Sequence, residues 1–242
     1  MIKNLIDTHF HLDHYRNYMD IAVKITELKQ YTICVTNSPG VFLSCKNLVS
    51  ETQYLKFAIG FHPQDKNLSN RELQDFMRLI NRTNYVGEIG LDFTNASSYM
   101  PKPQQLYCFE EIVRKCALQN KLMTIHVRGA EPEAISVLKK YAPKKMIIHW
   151  FTGDEECLRR LVEIGCYFSI NSNMVVGRNK EKYLLVPKDR ILIESDGPYT
   201  KIVGKNFDPS FLCQSYEMIG EFFNNSNLCA DVFDNFNSLL SK

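Results

Sequence analysis

The chain has 242 residues, of which 45% are hydrophobic and 23% are charged, and its formal net charge is +2. This composition favours a folded domain over a disordered chain, and the near-neutral charge excludes a coat of cationic residues that would bind nucleic acid by overall charge. No stretch approaches the ~18 apolar residues of a membrane-spanning helix, so we expect no contact with a membrane.

Eight cysteines are spread along the chain without a Cys-x-x-Cys pair, which argues against both a zinc knuckle and a thiol redox motif. We expect reduced, mostly buried thiols in a cytoplasmic protein. These cysteines are Cys34, Cys45, Cys108, Cys116, Cys157, Cys166, Cys213 and Cys229.

Short apolar runs typical of strands alternate with amphipathic segments along the chain. The predicted strands cover residues 5–9, 31–36, 55–61, 85–91, 122–126, 145–149, 166–170 and 190–194. Seven of them precede a helical or partly helical segment, and the C-terminus is helical. Continuous apolar strands interleaved with amphipathic helices predict an α/β protein with a parallel sheet. Closure into a (β/α)₈ TIM barrel, as one domain over residues 1–242, is the simplest arrangement.

Local signals place several helix ends. Helical periodicity is predicted over residues 21–28, 69–81 and 104–119. Ser69 with Glu72 forms a capping box at one helix start, and Thr152 with Glu155 forms a second. Gly165 is predicted to end the helix that follows Thr152.

Five of the six histidines and two carboxylates stand where a predicted strand runs out into a loop. They are His9, His11, His62, Glu88, His126, His149 and Asp196. In a barrel of parallel strands such positions converge on one mouth. Seven groups of this kind would repel one another or stay unsatisfied without a cation, which predicts a metal-dependent enzyme. His14, the sixth histidine, follows in a loop and is expected at the surface.

The spacing of these residues indicates the kind of metal site. His9 and His11 share one face of a strand and can clamp a divalent ion. Glu88 lies between two glycines and can bridge two ions ~3.5–4 Å apart, an arrangement suited to phosphodiester hydrolysis. Asp196 precedes Gly197-Pro198, a turn that directs its side chain, although a turn-capping aspartate is the alternative. Mixed imidazole and carboxylate ligation favours two ions of zinc, manganese or magnesium.

Two further roles are predicted from position. Arg128 follows His126 by two residues, would share its face and could hold a phosphate oxygen, although a salt bridge at the rim explains it equally well. Asp196 is the best candidate for a catalytic group that orients or deprotonates water, together with the bridging Glu88.

Six motifs resemble, in chain order, those of the TatD family of metal-dependent deoxyribonucleases, and the resemblance runs from residue 6 to about residue 199. A late Asn235 is similar to the C-terminal asparagine of that family. The motifs are Asp7-Thr8-His9-Phe10-His11-Leu12, Gly60-Phe61-His62-Pro63, Gly87-Glu88-Ile89-Gly90-Leu91-Asp92, His126-Val127-Arg128, His149-Trp150-Phe151-Thr152-Gly153 and Glu194-Ser195-Asp196-Gly197-Pro198-Tyr199.

The resemblance implies a function and a distribution of roles. Family members are typically divalent-ion-dependent nucleases, often 3′→5′ exonucleases on DNA. His62 and Arg128 would face the scissile phosphate. One ion would be held by His9, His11, Glu88 and Asp196, and the other by Glu88, His126 and His149.

Within the family, the chain is most similar to the TatD-like subunit of the Qat anti-phage defence systems. That resemblance implies an antiviral role beside an ATPase and a QueC-like protein. The chain departs from the family pattern at Gly129, at Gly197 and over residues 201–206, where the usual acidic residue, serine and arginine are replaced. These departures concern the grip on DNA rather than the metal ligands.

Two alternatives stay open. An amidohydrolase acting on a nucleobase or amide also uses His-x-His, but such barrels with bridged metals often carry a carboxylated lysine where Glu88 stands here. A catalytically idle partner subunit of a defence complex is the second alternative. A decayed enzyme is expected to lose some of its ligands, and all seven are present in this chain.

Overall fold

A computed structural model of the chain describes residues 4–94, 99–202 and 204–242. The central strands in these ranges are β1 (Ile6–Phe10), β2 (Tyr31–Cys34), β3 (Leu55–Phe57), β4 (Ile59–Phe61), β5 (Tyr85–Asp92), β6 (Leu122–Arg128), β7 (Met146–His149), β8 (Tyr167–Ile170) and β9 (Ile191–Ile193). The helices are α1 (Tyr18–Glu27), α2 (Pro39–Leu48), α3 (Asn70–Leu79), α4 (Lys102–Gln119), α5 (Glu131–Tyr141), α6 (Glu155–Glu163), α7 (Leu212–Phe222) and α8 (Leu228–Ser241).

The strands are parallel and form the predicted (β/α)₈ barrel. Hydrogen-bonded ladders connect β1-β2-β3 and β4-β5-β6-β7-β8-β9. The last strand, β9, lies beside the first, β1, and hydrogen bonds connect the two segments. Thr8 Oγ1 donates to Ile193 O over 3.0 Å, and Asp196 N–H, just beyond β9, donates to His9 O over 2.9 Å. This closure brings the residues that follow β9 against the histidines of β1.

The predicted third strand is divided at Ala58 into β3 and β4. Ala58 N–H donates to Cys34 O, and Ala58 O accepts from Thr36 Oγ1, each over 2.9 Å. A Cβ at Gly60 would lie 1.4 Å from Thr36 O, so only glycine allows this close approach. Beyond the break, Glu88 N–H donates to Thr36 O over 2.9 Å. The interruption therefore lets the end of β2 support the segment that carries Glu88.

The helix boundaries confirm one capping prediction and correct another. Ser69 caps α3 and accepts from Arg71 N–H over 3.2 Å, as predicted. The Thr152–Glu155 box is wrong, because Asp154 is the N-cap of α6 and accepts from Cys157 N–H over 2.8 Å. Asp154 stands immediately before the first helical residue, where a short side chain reaches the free N–H groups. The helix ends before Gly165, which has a φ of +90°, as predicted.

The alternation of strands with α-helices is interrupted after β8. The segment between β8 and β9 contains two 3₁₀ turns, Lys180–Leu185 and Lys188–Arg190, instead of an α-helix. After β9, the short strands β10 (Lys201–Ile202) and β11 (Lys205–Asn206) form an antiparallel pair before α7 begins. Over the described ranges, no helix combines the length and the apolar character needed to cross a membrane.

Candidate metal centre

The structure brings all seven predicted groups to one mouth of the barrel. His9 and His11 lie on and just beyond β1, and His149 is the last residue of β7. Two ligands differ from the strand-end prediction, because β6 continues two residues beyond His126 and Glu88 lies in the middle of β5, where the ladders to β4 and β6 both shift register. That irregularity sets the Glu88 side chain among the histidines of the neighbouring strands.

Glu88 is the centre of the cluster. Its side chain is 5% exposed, and five imidazole nitrogens surround its two oxygens. The distances are 3.5 Å from Oε2 to His9 Nε2, 3.4 Å from Oε2 to His11 Nε2, 3.2 Å from Oε1 to His62 Nε2, 3.1 Å from Oε1 to His126 Nδ1 and 3.8 Å from Oε1 to His149 Nε2. Each oxygen therefore faces a different group of histidines.

Asp196 completes the side of the cluster near β1. Its Oδ1 lies 3.8 Å from His9 Nε2 and 3.4 Å from His11 Nε2, and those two nitrogens are 3.3 Å apart. Among the residues that the structure describes, this buried oxygen has no hydrogen-bond partner. A buried carboxylate oxygen without a partner is costly, which indicates that a further group belongs there.

The spacing fits divalent ions. With metal–nitrogen bonds of ~2.0–2.1 Å, neighbouring ligands in a tetrahedral shell lie roughly 3.3 Å apart, close to the separations around Glu88. Three sets of ligand atoms that include Glu88 or Asp196 each lie within 4.8 Å of one another. The sets are His9, His11 and Asp196; His9, Glu88 and His149; and His62, Glu88 and His126. The donors are all imidazole or carboxylate, as expected for zinc, manganese or magnesium.

Charges in the cluster perturb one another strongly. Burial opposes protonation of His11, but the Asp196 and Glu88 carboxylates raise its pKa to about 10. Burial also opposes protonation of His149, whose pKa nevertheless rises to about 9 beside Glu194 and Asp196. Burial and the neighbouring His149 lower the pKa of His9 to about 4. Without a metal ion, protons on some histidines therefore balance the carboxylates.

Three residues around the cluster have no predicted role. Glu194 Oε2 lies 2.7 Å from His149 Nδ1, Asp92 Oδ2 lies 3.2 Å from His126 Nε2, and Thr124 Oγ1 lies 2.8 Å from His9 Nδ1. All three are buried. The signal in the sequence was the presence of Asp92 and Glu194 beside predicted ligands, but which histidine each one contacts depends on strand register.

A cavity of about 570 Å³ opens above the cluster and is lined by His62, Arg128, Trp150 and Tyr199, among others. Arg128 is exposed at its rim, so the arginine is beside the ligands as predicted. Gln64 N–H donates to His62 Nδ1 over 3.2 Å, which places the ring proton of neutral His62 on Nε2, the atom that faces Glu88.

His14 is exposed as predicted, yet it takes part in the rim of the site. Its ring stacks on His11 with centroids 4.8 Å apart, and its Nδ1 lies 2.6 Å from the Tyr199 hydroxyl. Its Nε2 lies 3.3 Å from Asp13 Oδ2. A sequence position in a loop gave no indication of these contacts.

A family model described as TatD related DNase matches residues 6–241. The chain belongs to this family. It is a metal-dependent hydrolase of the TatD type, in agreement with the motif resemblance.

Similar proteins cover most of this TatD-family chain. YcfH of Escherichia coli K12, described as an uncharacterized metal-dependent hydrolase, is 29% identical over 228 residues, 86% of this chain and 84% of YcfH. Deoxyribonuclease Tat-D of Schizosaccharomyces pombe is 31% identical over 130 residues, 52% of this chain and 41% of that protein. The crystal structure of YJJV, a TatD homologue from Escherichia coli K12, has a TM-score of 0.87 at 20% identity, covering 99% of this chain and 98% of YJJV, which supports the fold.

Proposed function

We propose that this TatD-family chain, acting as one hydrolase domain over residues 1–242, is a two-metal nuclease that hydrolyses phosphodiester bonds in DNA from the 3′ end. The observation that carries the proposal is the position of Glu88, whose two oxygens each face a separate group of imidazole nitrogens within 3.8 Å. A carboxylate with this surrounding is suited to bridge two cations, and paired cations suit phosphodiester hydrolysis.

On the motif resemblance, and because His9 and His11 face one Glu88 oxygen while His126 and His149 face the other, we divide the ligands into two sets that share Glu88. We assign His9, His11, Glu88 and Asp196 to the first ion, and Glu88, His126 and His149 to the second. Two divalent ions of zinc, manganese or magnesium would supply Lewis-acid activation of water and stabilise charge on the phosphate. His62 is assigned to the substrate rather than to an ion, because its Nε2 carries the ring proton and therefore donates.

The remaining steps belong to side chains of this chain. Asp196 would face the first ion through Oδ1, which leaves its second carboxylate oxygen to orient a water molecule and accept its proton. Arg128 at the cavity rim would bind phosphate oxygens, and His62 would donate a hydrogen bond to the same group. Together they would place the phosphodiester against the water.

The geometry disfavours the two alternatives. An amidohydrolase with a carboxylated lysine would need a lysine beside the ligands, and among the described residues that line the cavity none is a lysine. An idle subunit would be free to lose its ligand geometry, whereas here five histidines surround the Glu88 carboxylate and Asp196 lies beside two of them. We therefore favour a catalytic role.

The test is a screen of the metal-stripped protein against labelled single-stranded DNA, duplex DNA, RNA and a dihydropyrimidine panel, with zinc, manganese or magnesium added singly. We expect roughly two ions per chain and cleavage of DNA that stops in excess EDTA. Substrates labelled at the 5′ or 3′ end report the direction of cleavage. Full activity in EDTA would rule out the metal mechanism, and turnover of only the dihydropyrimidines would favour the amidohydrolase.

The biological setting is proposed on motif resemblance and thiol state. We infer a cytoplasmic enzyme of anti-phage defence that acts with other Qat proteins, an ATPase and a QueC-like protein. All eight cysteines in the described chain are free, as expected in a reducing compartment. Phage plaque counts on cells that carry the wild type or Asp196→Asn test this role. Protection that survives in the variant would contradict a catalytic contribution.

A further inference from the structure

The histidines assigned to the second ion are backed by buried carboxylates. His149 uses Nε2 toward Glu88, and its Nδ1 lies 2.7 Å from Glu194 Oε2. His126 uses Nδ1 toward Glu88, and its Nε2 lies 3.2 Å from Asp92 Oδ2. Glu194 and Asp92 are both 0% exposed. Each imidazole therefore lies between Glu88, which both histidines share, and a second carboxylate that contacts only that one of the two histidines.

The anionic groups around the proposed first ion are arranged differently. Its assigned ligands include two carboxylates, Glu88 and Asp196, in direct contact with the histidines. His9 rests on a neutral partner, because its Nδ1 lies 2.8 Å from Thr124 Oγ1. The second ion has only Glu88 as a direct anionic ligand, so most of the negative charge around it lies behind its histidines.

Each outer carboxylate is itself held in place. Glu194 Oε1 accepts from Asn171 Nδ2 over 2.9 Å and from Trp150 N–H over 3.2 Å, and Ser169 Oγ contacts Glu194 Oε2. Asp92 Oδ1 accepts from Thr94 N–H over 3.0 Å and from Thr94 Oγ1 over 2.7 Å. These bonds fix the direction from which each carboxylate meets its histidine.

We propose that Glu194 and Asp92 are positioning residues that set the affinity for the second ion, an inference that rests on the proposed two-ion site. An N–H on His149 Nδ1 that donates to Glu194 leaves the Nε2 lone pair facing Glu88. In the same way, an N–H on His126 Nε2 that donates to Asp92 leaves the Nδ1 lone pair facing Glu88. The outer carboxylates thus select the ligating tautomer and place negative charge near the second ion.

Glu194→Gln and Asp92→Asn test the inference, since each keeps the size of the side chain and removes its charge. We expect each to lower the affinity for one of the two ions by about 10–100-fold, the range typical of such partners, and to leave the other ion nearly unchanged. Asp65→Asn is the matched control, because Asp65 lines the same cavity without contacting a histidine side chain in the described structure. It should leave both affinities within about threefold of the wild type.

The measurement is calorimetric titration of metal-stripped protein with Zn²⁺, together with the visible spectrum of the Co²⁺-loaded form. Thermal unfolding of the metal-free variants shows whether each is folded. The two substitutions test the inference separately, so if one variant does not fold, the other still provides the test. A structural role alone would lower the unfolding temperature without a selective loss of one ion or a changed Co²⁺ spectrum.

The outcomes separate this inference from the proposed function. Wild-type affinity for both ions in both variants, or equal loss of both ions, would overturn it. Failure of the wild type to bind a second ion would overturn it as well. A wild type that binds two ions but cleaves no nucleic acid would contradict the proposed function alone, and a selective loss in the variants would still support Glu194 and Asp92.

Discussion

Replacing Glu88 by glutamine tests the proposed bridge most directly. The substitution keeps the size of a side chain whose oxygens lie 3.1–3.8 Å from five histidine nitrogens, but removes its charge. Two dications ~4 Å apart repel by roughly 16 kcal/mol at an effective dielectric of ~20. A neutral amide cannot offset that repulsion. We therefore expect the affinity for at least one ion to fall by more than the ~100-fold upper range for outer partners.

The assay is equilibrium dialysis of metal-stripped Glu88→Gln against Zn²⁺ or Mn²⁺, with bound metal measured per chain and Asp65→Asn as control. Nuclease turnover is measured on the same samples. If Glu88→Gln retained two tightly bound ions and a near-normal rate, the bridging assignment would be wrong. Glu88 would then be a structural carboxylate on β5.

Three further outcomes are expected. Arg128→Ala should leave both ions bound and lower kcat/KM by about 10–100-fold, the effect of losing hydrogen bonds to a charged group; unchanged kinetics would remove Arg128 from the site. Ion binding should strengthen as pH rises from 7 to 9, because pKa values of about 10 for His11 and 9 for His149 mean that ions must displace protons at neutral pH. Calorimetry in buffers of different ionisation enthalpy counts the protons released on binding. An affinity that does not change with pH would contradict this expectation. Asn235→Ala removes side-chain donation to the carbonyls of Lys188 and Ile191 and should lower the unfolding free energy by about 1–3 kcal/mol, measured by denaturation.

The barrel and the converging ligands were predictable because both follow from local patterns. A continuous apolar run such as β7 marks a strand buried on both faces, and His149 at its end marks the mouth. The same reasoning placed His62, which directly follows β4. Chain order and strand direction are sufficient for this degree of detail, since every parallel strand delivers its end to the same side.

Pairings across the barrel were not predictable in the same way. Glu194 contacts His149 because Ser169 on β8 lies between their strands, paired with His149 on one side and with Leu192 on the other. That register depends on packing of the whole barrel rather than on local sequence. The capping of α6 failed for a related reason: Thr152 and Asp154 are both good N-caps, and only the path of the chain after β7 decides between them.

The charges of the site connect metal binding with substrate binding. Four buried carboxylates contact its histidine side chains: Glu88, Asp92, Glu194 and Asp196. Their combined charge is as large as that of two dications and opposite in sign. A phosphodiester approaching these carboxylates alone would meet repulsion, whereas the loaded site would be near neutral and Arg128 would then favour the anion. Since the chain carries a net charge of only +2, overall attraction cannot replace this local balance. The carboxylates that hold the ions would therefore also make recognition of the substrate depend on them.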